Sequence, residues 1–129
     1  RALGGTGMIT GSETVTSVFG YWPEFADARV LSFGFSAEGT VSLVLSYIDA
    51  SASKSAEVSL SFSGVRELDV GALASENVLD CLTVTPGDPM MVTLESCIGL
   101  GGSFTCTAAT VAEVSPNNSF KPKPLRGSA

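Results

Sequence analysis

The spacing of hydrophobic residues along the chain predicts a fold made mainly of β-strands. Residues 40–48, TVSLVLSYI, alternate between apolar and polar positions, and residues 56–65, AEVSLSFSGV, do so with serine at 59, 61 and 63. Such alternation places one face of a strand in a core and the other face in water. Four further segments have strand character and bring the expected total to about six: Arg29–Phe35, Val78–Thr85, Met90–Glu95 and Ser103–Val114.

The segments between these strands are rich in the small and polar residues that favour tight turns. They are SAEGT at 36–40, DASASK at 49–54, PGDP at 86–89 and GLGG at 99–102. Short connections between consecutive strands predict an antiparallel meander. We therefore expect an all-β fold, or a β-dominated α+β fold, in which the meander forms a small sandwich or half-barrel.

One short helix is expected ahead of the first long strand. Thr10 and Glu13 have the spacing of a capping box, and an apolar stripe runs from Val15 to Phe19. Gly20 then provides a residue suited to the left-handed conformation that commonly ends a helix. The RELDV segment at 66–70 also has strand character.

The chain is expected to fold as one domain over residues 8–115. Residues 1–7 precede Met8, and we predict that they are a leader foreign to the native protein, with Met8 as its start. Residues 116–129 contain three prolines and few apolar side chains, so they are predicted to be a flexible tail. No run approaches the roughly 18 apolar residues that a membrane-spanning helix needs.

The charge of the chain is unevenly distributed. The whole sequence has a net charge of −6, but all 13 acids lie within residues 8–120, where they face only Arg29, Lys54 and Arg66. Three cations against 13 acids give this segment a net charge of −10. Such a domain repels nucleic acid and anionic membranes, and it attracts a basic protein. The alternative is that the surplus of acids only keeps a small domain soluble.

The complete absence of histidine removes many kinds of active site. Ser-His-Asp and Cys-His nucleophilic sites and imidazole metal sites all require that side chain. The acids are scattered, and no DxDxDG calcium loop is present. We therefore expect a binding protein rather than an enzyme, with no cofactor and no metal.

The three cysteines, Cys81, Cys97 and Cys106, lack the paired CxxC spacing of a zinc knuckle and are odd in number. We predict reduced, buried thiols, and the alternation in SFTCTAATV places Phe104, Cys106 and Ala108 on one face. A bridge between Cys97 and Cys106 across a hairpin is the alternative.

The densest cluster of unusual residues is VFGYWPEFADARV at 18–30, which contains four aromatic side chains. Pro23 forces Trp22 toward an extended conformation, so the preceding helix cannot continue through it. One interpretation is structural, with Phe19, Trp22 and Phe25 closing one end of the core. The other is functional, because tyrosine and tryptophan are common anchors of protein interfaces.

This cluster, FGYWPEFADARVLSF, together with the later FSGVRELDV and SENVLDCLTV segments, resembles immunity protein family 50 of bacterial polymorphic toxin systems. The similarity spans most of residues 13–114. The family pattern for this segment is WPxFHDAEV. This chain has Ala26 at the position of the histidine and Arg29 at the position of the glutamate. The motif is interpreted as architectural, with Asp27 accepting backbone hydrogen bonds where the strand begins.

The resemblance implies a cytoplasmic bacterial protein that binds a cognate toxin and neutralises it by stoichiometric occlusion. A basic nuclease-type toxin would suit the negative charge. The negative charge predicts no nucleic-acid or membrane partner, and the oligomeric state stays open. The candidate partner-binding residues are Tyr21, Trp22, Glu24, Asp27, Glu67, Asp69 and Glu76.

Two other functional classes are compatible with the residues. The serine- and threonine-rich strand faces and sparse charge also suit an extracellular β-sandwich that binds a ligand or mediates adhesion, which would need an exposed aromatic platform. A hydrolase that uses only carboxylates is the third hypothesis. Quenching of Trp22 fluorescence by sugars would favour the second class, and loss of activity on replacing a single acid would favour the third.

Overall fold

A computed structural model describes residues 9–116, so the predicted leader and all but the first residue of the predicted tail lie outside the described part. Within it, helix α1 spans Ser12–Phe19. The strands are β1 (Ile9–Thr10), β2 (Arg29–Ser36), β3 (Thr40–Asp49), β4 (Lys54–Ser63), β5 (Arg66–Gly71), β6 (Val78–Thr85), β7 (Met90–Ile98), β8 (Gly101–Cys106) and β9 (Ala108–Pro116). The prediction of an all-β fold with one short helix is confirmed.

The nine strands of residues 9–116 form one mixed sheet with the order β1-β9-β4-β3-β2-β6-β7-β8-β5. Only β1 and β9 run parallel; the other neighbours are antiparallel. The expected meander holds for β2-β3-β4 and again for β6-β7-β8. The meander prediction is wrong for β5 and β9. Strand β5 pairs with β8 rather than with β4, and β9 pairs with β4 rather than with β8.

The sheet folds over on itself so that its two halves share one core. The halves meet at a single residue pair between β2 and β6, Arg29 opposite Val78. Four strands separate β4, which carries Phe62, from β8, which carries Phe104, in the sheet order, yet the ring centroids of these residues lie 5.2 Å apart in an edge-on contact. Strands so far apart in a sheet meet only when it curves back, as the half-barrel or sandwich expectation requires.

Two bends carry the chain from one half to the other. Strand β4 passes into β5 at Gly64, and β8 passes into β9 at Thr107, whose backbone N–H donates to Ser63 O at 2.9 Å. Gly64 has a φ of 64°, and a Cβ there would collide with the Thr107 side chain. A residue without a side chain is therefore required at this bend.

The bend at Thr107 corrects the prediction of one strand over Ser103–Val114. Phe104 and Cys106 are buried as the alternation predicts, but Ala108, one step further in the pattern, is exposed. The reason is that the two-residue period breaks at the bend, where the chain changes from one half of the sheet to the other. The sequence pattern on either side is regular, so the break left no signal in it.

Helix α1 ends as expected but begins differently. Gly20 is in the left-handed conformation, and its N–H donates to Thr16 O at 2.7 Å. The predicted capping box is wrong, because Thr10 belongs to β1 and Gly11 occupies the cap without a side-chain hydrogen bond. Val15 and Phe19, one turn apart, bury the face of the helix that packs against β9 and β4.

All three cysteines are free thiols, which leaves no bridge between Cys97 and Cys106. Cys106 is buried, and burial raises the pKa of its thiol. The expectation of burial is wrong for Cys97, which is exposed near the end of β7, and Cys81 is half-buried. No helix within residues 9–116 is long and apolar enough to cross a membrane.

Candidate functional site

The aromatic segment, residues 20–28 between α1 and β2, contains Tyr21, Trp22 and Phe25. It runs beside β6 as an extension of β2. Leu82 N donates to Glu24 O at 2.7 Å, Asp27 N donates to Leu79 O at 2.8 Å, and Leu79 N donates to Ala28 O at 2.9 Å. These bonds continue the single β2–β6 residue pair into a longer seam. The segment therefore holds the two halves of the sheet together.

The rings of this segment pack on one another around Phe25, which has no exposed surface. Its centroid lies 5.7 Å from that of Trp22 and 5.5 Å from that of Tyr47 on β3, both nearly edge-on. Phe19 lies 5.1 Å from Tyr47 in the same geometry. Edge-to-face packing of this kind stabilises a core beyond the burial of apolar area. The structural interpretation is therefore correct for Phe19 and Phe25.

Tyr21 is the exposed member of the cluster and is held by hydrogen bonds. Its hydroxyl donates to Asp49 Oδ2 at 2.6 Å and lies 3.1 Å from the Tyr47 hydroxyl. The bond to Asp49 raises the pKa of Tyr21 well above its usual value. The same bond, with a second from Ser51, lowers the pKa of Asp49. Tyr21 thus ties the segment after α1 to the end of β3.

Trp22 is half-buried and borders a small surface cavity. The cavity has a volume of about 120 Å³ and is lined by Trp22, Glu24 and three residues of β6, namely Leu82, Thr83 and Val84. Pockets for small organic ligands are typically about 300–1,000 Å³. This cavity is smaller than such pockets.

Asp27 lies in an unusual backbone conformation rather than in a side-chain cap. Its φ is 64°, and that of Phe25 is 60°. Within residues 9–116 no hydrogen bond reaches its exposed carboxylate; its backbone N–H makes the bond to β6 instead. The expected role in accepting backbone hydrogen bonds is therefore not what the structure shows.

The remaining predicted residues lie in two other places. Glu67 and Asp69 are exposed on β5, the last strand of the sheet order, where the register shifts between Arg66 and Asp69. Glu76 is exposed in the loop before β6. The backbone O of the next residue, Asn77, accepts a hydrogen bond from Val30 N at 2.8 Å. Glu76 therefore lies at the seam beside β2. The structure thus brings Glu24, Asp27 and Glu76 to one seam, while Asp69 lies away from it.

Asn77 itself is a structural residue that the sequence reasoning did not single out. It is 9% exposed, and its Oδ1 accepts from Leu100 N at 2.8 Å and from Ala74 N at 2.9 Å. Its Nδ2 donates to Ala74 O at 2.9 Å. A buried amide that is satisfied on both sides fixes the two loops it joins. In the sequence, the feature that could have indicated this structural role is the position of Asn77 just before the VLDCLTV strand.

Phe33 and Phe35 on β2 were also missed as functional candidates. They lie directly opposite Leu43 and Val41, which are fully buried, so they face the same side of the sheet. Phe33 is only half-buried, however, and Phe35 is 50% exposed. The alternating pattern correctly predicts the face, but it cannot predict that the core stops short of this strand.

The surface of the domain is strongly acidic. All 13 acids fall within residues 9–116, and every one except the half-buried Asp49 is exposed. In the same range there is no group of three or more cysteine, aspartate or glutamate side chains placed to hold a metal ion. The exposed charge of the described residues is therefore mainly negative.

Comparison with known proteins identifies the family. Residues 11–117 match the family described as Immunity protein 50, which covers α1, the aromatic segment and the whole sheet after β1. No curated protein and no solved structure gives a significant match. The match spans well over half of the chain and agrees with the resemblance noted from the WPEFADARV segment. The chain therefore belongs to the Immunity protein 50 family.

Proposed function

We propose that this chain neutralises a toxin domain of a bacterial polymorphic toxin system by binding it stoichiometrically in the cytoplasm of the producing cell. The observation that carries the proposal is the family match across residues 11–117, nearly the whole described domain. An inhibitor of this kind acts by covering a surface of its target. It needs shape and charge complementarity, and it needs no catalytic group.

The charge of the domain supports a basic target. Residues 9–116 contain 13 acids and three cations, Arg29, Lys54 and Arg66. Opposite charge accelerates the encounter of two proteins, and an immunity protein must reach its toxin before damage occurs. A toxin domain that acts on nucleic acid is itself basic because it binds phosphates, so we propose a nuclease-type target.

The direct test uses the toxin domain encoded beside this gene. We expect the toxin domain to arrest growth when expressed alone in a bacterial host and co-expression of the full chain to restore it. The purified pair should elute as a one-to-one complex whose mass is confirmed by light scattering. Continued arrest, with both proteins present in folded form, would refute the proposal.

The charge argument has a separate test in the rate of association. We expect the rate to fall about tenfold or more between low and physiological salt, because screening weakens steering. Asp27→Lys and Glu76→Lys should each slow association severalfold with little change in melting temperature, since both side chains are exposed. Glu113→Lys, which replaces another exposed acid, on β9, is the matched control. An association rate insensitive to salt would exclude a basic target.

A further inference from the structure

Within residues 9–116, the open strand edges of β1, β5 and β2 differ in kind. The outer side of β9 beyond Thr110 also lacks a paired strand, but α1 packs against β9 and this stretch carries Glu113. At one end of the sheet order lies β1, whose described residues are Ile9 and Thr10. At the other end lies β5, which carries Arg66, Glu67 and Asp69 and a register shift. Charge and irregularity are usual means by which proteins prevent unwanted pairing at an edge. The β5 edge is therefore protected.

The third edge is the side of β2 that faces away from β3, and it is not protected. Beyond the Arg29–Val78 pair and the bond from Val30 N to Asn77 O, this side of β2 has no backbone partner within residues 9–116. Residues 31–36, LSFGFS, contain no charged side chain. Unpaired N–H and C=O groups on such a strand are a template for pairing with another chain.

The side chains of this edge are apolar and open to solvent. Leu31, which lies at a register shift, is 45% exposed, and Phe35 is 50% exposed. Phe33 is half-buried and packs against the core from the same face as Phe35. An incoming strand would find a continuous extension of the hydrophobic core at this position. Burying exposed phenylalanine in an interface supplies affinity, and backbone pairing fixes the register.

Acidic residues flank both ends of the edge. At the start of β2, the Val30–Asn77 bond places Glu76 alongside, with Asp27 just upstream. At the far end, Val65 N donates to Gly39 O at 2.9 Å, which brings the chain before Glu67 close to the β2–β3 turn that contains Glu38. Arg29 and Arg66 lie in the same two regions, so four acids outnumber two cations.

We propose that residues 31–36 of β2 are the docking edge for the toxin, and that an extended segment of the toxin pairs there as an added strand. This inference rests on the proposed function. The segment is expected to have apolar side chains at alternate positions, which contact Phe33 and Phe35, and lysine or arginine at its ends. A second copy of this chain is disfavoured as the occupant because each copy brings a net charge of −10 over residues 8–120.

Backbone amide hydrogen exchange, followed by NMR on the full chain, tests the pairing. The probe is the toxin domain encoded beside this gene, added to saturation. We expect the open-side amides of residues 31–36 to exchange rapidly in the free chain and about tenfold or more slowly in the complex. Protection that is already present in the free chain, or that appears only elsewhere in the complex, would overturn the proposal.

A pair of substitutions tests the role of the side chains. Phe35→Glu should weaken toxin binding by about 30-fold or more, as expected for loss of an interface anchor. Ile48→Glu is the matched control, because Ile48 is 53% exposed on the neighbouring strand β3 and should change binding less than about threefold. Melting temperatures of both variants should remain close to that of the unaltered chain.

The outcomes separate this inference from the function it rests on. Absence of any complex with the unaltered chain refutes the proposed function, and the docking edge with it. A complex that protects cells but forms equally well with Phe35→Glu refutes the docking edge alone. A free chain that sediments as a dimer, and becomes monomeric with Phe35→Glu, would show that a second copy occupies the edge and would also overturn the proposal.

Discussion

Two groups of aromatic residues lie close together in this sequence but differ in how their rings are packed and exposed. The rings of Phe19, Trp22 and Phe25 pack edge-on against each other or against Tyr47, and Phe25 is fully buried. The rings of Phe33 and Phe35, about ten residues later, make no contact with another aromatic ring of residues 9–116, and half of Phe35 is exposed.

The difference teaches that the density of aromatic residues in a sequence does not indicate whether their rings are packed in the core or left exposed. The conspicuous WPEF segment forms hydrogen bonds along β6 and closes the seam between the two halves of the sheet. The inconspicuous LSFGFS segment lies where the sheet order leaves an edge open. The position of a residue in the strand topology therefore decides whether its apolar surface is used inside the molecule or left available outside it.

The largest expected effect is on stability at the centre of the packed group. Phe25→Ala should lower the free energy of unfolding by about 3–5 kcal/mol, because it leaves a cavity among Trp22, Tyr47 and the seam. Phe35→Ala should lower it by less than about 0.5 kcal/mol, since half of that ring is already in water. Urea unfolding followed by Trp22 fluorescence measures both. Equal losses would mean that β2 is as well packed as the aromatic segment.

The next-largest expected effect on stability comes from the backbone, and it compares a glycine at a bend with a glycine in the open strand. Gly64→Ala should destabilise the fold by about 1–3 kcal/mol, because it places a Cβ in the left-handed region and against Thr107. Gly34→Ala, in the open strand, is the control; no atom lies within 4 Å of the position its Cβ would take. Its effect should stay within about 0.5 kcal/mol. A large loss at Gly34 would indicate that something covers the open strand in solution.

The fold could be predicted from the sequence wherever a strand remains straight. Val58, Leu60 and Phe62 face the core as their alternation with serine predicts. The bend at Thr107 was not predictable, because alternation continues on both sides of it and only the bond to Ser63, 44 residues away, shows the change of sheet half. Local patterns report local geometry, whereas the bends depend on distant partners.

The candidate site was predictable only in part, for the same reason. Asp27 and Glu76 were chosen for their charge, and the structure places both along the seam with β6. Phe33 and Phe35 fall in the predicted strand Arg29–Phe35, and both lie in β2. Their exposure depends on the strand order, which leaves β2 with one partner beyond residue 30, and alternation within a single strand carries no information about that order.

The smallest effect concerns the one exposed ring of the packed group. Tyr21 donates a hydrogen bond to Asp49, and this bond is the main reason that the pKa of Asp49 is lowered in the folded state. A lowered carboxylate pKa stabilises the fold above the pKa of the unfolded chain, near 3.9, and the contribution is lost as the pH falls through the folded-state value. Tyr21→Phe should therefore raise the pKa of Asp49 and remove that part of the acid dependence of stability.

The carboxyl carbon shift of Asp49, followed by NMR from about pH 2 to about pH 7, measures the change directly. Ser51→Ala is the matched control, because Ser51 donates to the other carboxylate oxygen at 2.8 Å and is the second cause of the lowered pKa. We expect a smaller rise in the pKa of Asp49 for Ser51→Ala than for Tyr21→Phe. The reverse order would mean that Tyr21 does not hold Asp49 in solution. Tyr21 would then be free to meet a partner, as the rings of β2 are proposed to do.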